Sequence, residues 1–70
     1  MKFTAKELRM LRQSRNMQQK NVACKMKISL QRYSILENDD DRPVKRTIEI
    51  LQILDFNERT AREFLDLIPQ

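Results

Sequence analysis

The run Ser29-Leu30-Gln31-Arg32, with Ile35 one helical turn beyond Gln31, gathers side chains that suit the edges of base pairs. The Gln31 carboxamide can pair bidentately with adenine, the Arg32 fork can meet guanine or a phosphate, and Leu30 and Ile35 can touch only a thymine methyl. Direct readout through so few polar groups is thin. Lys20, Lys27, Arg42, Lys45 and Arg46 offer charges for phosphates, contacts that give position and salt-dependent affinity without sequence information.

Other chemistries lack their residues. The chain has no His, no Gly and a single Cys24, so it offers neither a nucleophile paired with a base nor a Gly-rich phosphate cradle. No enzymatic activity and no cofactor are expected. Cys24 lies opposite the face of Val22, Ala23 and Met26 and has no resolving partner, which argues against a redox switch. The Asp39-Asp40-Asp41 run has oxygens suited to a hard cation, but neighbouring loop residues rarely enclose one alone. A solvated loop with no bound metal is the expectation.

The 70 residues read as a single domain, 1–70. A domain this short removes only about 60% of its unfolded surface from water, so function belongs on an exposed face rather than in a deep cleft. Fourteen Lys and Arg against ten Asp and Glu give a net charge of +4 and a pI near 9.6. Residues 1–35 carry nine basic side chains and one acid, while residues 36–70 carry five basic and nine acidic. A merely solvated surface mixes signs, so the basic half favours an anionic partner such as nucleic acid. The longest mainly apolar stretch, Ile48 to Leu54, is too short to cross a bilayer. With no signal segment and one Cys, a reducing cytoplasm is the expected compartment.

Helical spacing recurs throughout, and strand and hairpin signals are weak. Helices are predicted near 4–15, 18–25, 29–38, 45–54 and 57–68. Thr4 and Glu7 form a capping box, Phe3 and Leu8 a hydrophobic staple, and Asn16 suits a left-handed cap. Leu8 and Leu11 point inward, as do Val22, Ala23 and Met26, then Tyr33 and Leu36. In the fourth helix Ile48, Leu51 and Leu54 are the expected inward stripe, and in the fifth Ala61, Phe64, Leu65 and Ile68. Ser29 and Asn57 are N-caps, and Pro69 ends the last helix. Asn38 to Pro43 is a polar loop. Met10, Leu30, Ile35 and Ile50 fall off the inward stripes and mark a possible partner surface.

The segment Gln19 to Glu37 has a helix-turn-helix outline. Here the sequence resembles the phage repressor and Cro-like (XRE-type) family over about Glu7 to Phe56. Leu8-x-x-Leu11-Arg12 is similar to that family's first helix. Gln19-x-x-Val22-Ala23-x-x-Met26 is similar to its second, and Ile28-Ser29-x-x-x-Tyr33-Ser34-x-x-Glu37-Asn38 to its turn, third helix and exit.

The resemblance implies an all-α, five-helix lambda-repressor-like domain whose segment Leu30 to Asn38 is inserted in the major groove of double-stranded DNA. It implies phosphate contacts at Gln19 and Asn38, base contacts at Leu30, Gln31 and Ile35, and a structural ion pair between Arg12 and Glu37. With Lys20, Lys27, Ser29, Arg32, Arg42 and Lys45, these make up the expected DNA-binding set. A homodimeric transcription regulator such as a repressor follows, joined near Phe56, Phe64 and Ile68. Lys27 and Asp39 stand where the family has Gly, so each must accept or avoid a left-handed backbone. The three Asp residues would lie near the DNA backbone, so either the loop turns away or DNA is not the partner. The alternative is a protein-interaction module of the same fold that binds a protein through Leu30 and Ile35.

Overall fold

Side-chain oxygens at the N-cap mark where three of the five helices start. The Thr4 hydroxyl accepts the Glu7 N–H at 3.3 Å while the Glu7 carboxylate accepts the Thr4 N–H at 2.9 Å, which opens α1, Ala5–Ser14. The computed structural model describes residues 2–68. Asn16, at φ 56°, ends α1 in the left-handed conformation that Asn accepts at little cost. Lys27 does the same at φ 61° after α2, Gln19–Met26. Ser29 accepts the Arg32 N–H at 3.1 Å and opens α3, Leu30–Leu36. Asn57 accepts the Thr60 N–H at 2.8 Å and opens α5, Glu58–Leu67. Pro69, the expected stop for α5, lies outside the described residues.

The result is an all-helical domain of five helices, with no strand among the described residues beyond an isolated bridge from Thr4 to Pro43. None of these helices is long enough to be stable alone, so packing holds them. α2 lies against α3 and α4, while α1 lies against α4 and α5. Phe3, Leu8, Leu11, Val22, Tyr33, Leu51 and Leu54 form the centre of the core. Tyr33 is fully buried, whereas Leu36, Phe64 and Ile68 are partly buried against the core.

The fourth helix departs from its predicted inward stripe. α4 spans Thr47–Ile53, with Ile48 half exposed and Ile50 buried. The inward residues are therefore Thr47, Ile50, Leu51 and Leu54. The reason is Thr47, whose hydroxyl accepts the Phe3 N–H at 2.9 Å and donates to the Val44 carbonyl at 2.6 Å. Those buried bonds fix the rotation of α4, and a pattern that counts Thr as polar selects the wrong ridge. Met10 is likewise partly buried rather than exposed. Leu67, unremarked in the sequence pattern, is among the exposed apolar residues.

Arg15 fastens the end of α1 to the α4–α5 junction. Its guanidinium donates to the carbonyls of Leu54 at 2.9 Å and Asp55 at 3.1 Å, and lies 4.1 Å from the centre of the Phe56 ring. Across the molecule, the Arg62 guanidinium donates to Glu7 at 2.6 Å and covers the Phe3 ring at 4.3 Å. Burial pushes the Glu7 carboxyl up, but the Thr4 N–H, Arg62 and the Thr4 hydroxyl outweigh it and hold Glu7 below its ordinary value.

Two stability measurements follow. Replacing Lys27 by Gly removes the left-handed strain of a side-chain-bearing residue, and raises the unfolding free energy by about 0.5–1 kcal/mol in high-salt urea titrations. An unchanged or lowered midpoint refutes this assignment of strain. Because the folded-state value of Glu7 is depressed, its contribution is present above the unfolded value of about 4.3 and is lost as pH falls through the folded one. The stability gap between the wild type and Glu7→Gln should narrow below about pH 4. A gap that stays constant down to full protonation counts against the linkage.

Candidate nucleic-acid interface

A buried ion pair sets the position of α3. Arg12 Nε donates to Glu37 Oε2 at 2.9 Å and Nη2 donates to Oε1 at 3.2 Å, with both side chains nearly out of solvent. Arg12 Nη1 also donates to the Met17 carbonyl at 2.7 Å. Gln19 joins the same carboxylate, donating from Nε2 to Glu37 Oε1 at 3.1 Å, and its own oxygen accepts the Ser34 hydroxyl at 3.1 Å. One network thus ties α1, α2 and α3 together. Beside it the Tyr33 hydroxyl is buried without a hydrogen-bond partner. Burial first, and then the Glu37 carboxylate, push this phenol upward, so it stays neutral.

The opposite side of α3 faces solvent. Leu30, Gln31, Arg32 and Ile35 are all exposed, as are Ser29, Lys20, Lys27, Asn38, Arg42 and Lys45. Gln19 is half buried, and its two bonds within the network leave one amide hydrogen for a phosphate. Lys25, which the sequence reading passed over, is also exposed. The signal for it was available, since no acid occurs between Glu7 and Glu37. Among the described residues, Lys20, Lys25, Lys27, Arg32, Arg42 and Lys45 are in no ion pair. Arg46 differs, because Glu49 holds its guanidinium at 2.9 and 2.8 Å. Arg42, Lys45 and Arg46 rim a hollow of about 270 Å³ whose other walls are Leu36, Pro43 and Val44.

The acidic loop is folded back on α1. The N–H groups of Ala5 and Lys6, which the helix itself leaves without partners, donate to the carbonyls of Arg42 at 3.0 Å and Asp40 at 3.2 Å. Arg9 pairs with Asp40 at 2.8 Å, and that hydrogen bond holds the Asp40 carboxyl below its ordinary value. The Asp39 carboxylate accepts the Asp41 N–H at 3.2 Å. Asp39 avoids a positive φ, and the left-handed non-Gly residues are Asn16, Lys27 and Asp55. Among the described residues no group of three or more His, Cys, Asp or Glu side chains is placed to hold a metal ion.

Comparison with protein-family models, curated proteins and solved structures gives no match. Among the described residues no helix is long and apolar enough to cross a membrane.

Arg12→Ala leaves a buried carboxylate unpaired and should lower the unfolding free energy by about 3–5 kcal/mol. Arg46→Ala, which breaks an exposed pair with Glu49, should change it by less than about 1 kcal/mol. Equal losses in parallel urea titrations would contradict the structural role given to Arg12.

Proposed function

We propose that this chain is a sequence-preferring regulator that binds double-stranded DNA through α2 and α3, working by occupancy without covalent chemistry. The observation that carries the reading is an exposed α3 within residues 8–36, a stretch that contains no acid and whose exposed Lys20, Lys25, Lys27 and Arg32 are in no ion pair among the described residues. Such a face suits a polyanion, and α3 has the width to enter a major groove. The similarity to the phage repressor and Cro-like family supports the same reading, with α3 as the helix that reads bases and the start of α2 at the phosphates. The folded-back loop helps in part, because Asp40 is neutralised by Arg9, while Asp39 and Asp41 stay exposed and in no ion pair among the described residues.

A homodimer on a near-palindromic site is the proposed working form, with half-sites about one helical turn apart. The α4–α5 junction supplies a surface for the second copy, since half-exposed Ile48 borders a hollow of about 160 Å³ lined by Leu51, Gln52, Phe56, Asn57 and Glu58. A reducing cytoplasmic compartment fits an exposed, unpaired Cys24. The second reading, a protein-binding module, draws on the exposure of Leu30 and Ile35; it requires that Leu30→Asp abolish capture of a partner protein while duplex DNA is ignored.

The test is an electrophoretic shift with random-sequence duplexes over a series of salt concentrations. If Lys20, Lys25, Lys27, Arg32, Arg42 and Lys45 each meet a phosphate, log affinity falls with log salt at a slope of about −5 per protomer. Lys27→Ala should reduce that slope by about 1 without changing sequence preference. The retained complex should hold two chains per duplex. Absence of any shift at low salt rejects the DNA-binding reading.

A further inference from the structure

We propose that the hollow between the end of α3 and the start of α4 binds a small phosphate monoester that carries an apolar group, such as an aryl phosphate. Its rim is cationic and its walls are not. Arg42, Lys45 and Arg46 bring the charge, while Leu36, Pro43 and Val44 supply hydrocarbon around a volume of about 270 Å³. That volume is close to the lower limit of ligand sites, which suits a compact molecule.

The walls are in place before anything binds. The Arg42 carbonyl accepts the Ala5 N–H at 3.0 Å, the Val44 N–H donates to the Phe3 carbonyl at 2.9 Å, and the Val44 carbonyl accepts the Thr47 hydroxyl at 2.6 Å. Pro43 between them has a fixed φ. The segment is thus pinned along its length, and a ligand has little of it to order.

Arg46 is held as well. Glu49 accepts from its Nε at 2.9 Å and its Nη2 at 2.8 Å, which fixes the guanidinium plane and leaves both Nη1 hydrogens for another acceptor. Arg42 and Lys45 are exposed and in no ion pair among the described residues. Three cations less the one carboxylate of Glu49 leave two positive charges. A phosphate monoester carries about 1.5 to 2 negative charges at neutral pH, so it meets that balance.

Arg42 and Lys45 also belong to the proposed duplex contacts, so a backbone phosphodiester is the rival occupant. It brings a single charge flanked by sugars, and leaves the hydrocarbon of Leu36 and Pro43 without an apolar partner. The site does not depend on DNA binding, and its test contains no DNA.

The whole chain is titrated with phenyl phosphate, inorganic phosphate and dimethyl phosphate above the second phosphate pKa of about 6, and its backbone amide resonances are followed. Phenyl phosphate should saturate with a Kd of about 1 mM or below, shifting the amides of Leu36, Val44 and Lys45. Inorganic phosphate, which lacks the apolar group, and dimethyl phosphate, which lacks the second charge, should each bind roughly tenfold more weakly. Arg42→Ala and Lys45→Ala, at exposed side chains, should each weaken phenyl phosphate about threefold to fivefold, while Lys25→Ala leaves it unchanged. No saturation by about 10 mM, equal binding of the three probes, or shifts centred on Lys20, Lys25 and Lys27 overturns the proposal. None of these outcomes bears on the electrophoretic test of duplex binding.

Discussion

Burying the guanidinium of Arg12 against the carboxylate of Glu37 is the constraint on which the arrangement of the first three helices depends. Two charges held away from water are tolerable only when other groups add to their mutual bonds, and here the Met17 carbonyl accepts from Arg12 and Gln19 donates to Glu37. The pair fixes the far end of α3 to α1, and Gln19 and Ser34 fix its middle to α2. Because α3 has only seven residues, two such anchors leave it little freedom to roll. The identity of its outward ridge follows from those anchors rather than from any preference of Gln31 or Ile35 themselves.

Much of this was legible in the sequence because it is local. Thr4 with Glu7, Ser29 and Asn57 announce helix starts within a few residues, and their bonds close over that same distance. The pairing of Arg12 with Glu37 was legible only through resemblance, since nothing in the spacing of two residues so far apart requires it. What could not be read was set by contacts across the chain. The rotation of α4 depends on Thr47 meeting Phe3, and the disposition of the acidic loop depends on α1 offering N–H groups to Asp40 and Arg42. Lys25 was a different kind of omission, because the family pattern drew attention to named positions while the lack of acids spoke for the whole segment.

The absence of Gly shapes the joints. Asn16, Lys27 and Asp55 all take left-handed backbone. Asn and Asp do so with some compensation from their short polar side chains, and Lys does not. The turn between α2 and α3 therefore stores strain at the place where a charged side chain is directed to solvent. Keeping Lys there exchanges a small loss of stability for one more cation beside α3.

Arg15 reaches from the tail of α1 to the carbonyls that end α4 while lying on Phe56. Anything that seated itself on the Phe56 side would press on that guanidinium, and α1 carries Arg12 one turn earlier on the same rod. The α4–α5 junction and the anchored end of α3 are thus braced from opposite ends of one helical turn, Arg15 holding the one and Arg12 the other.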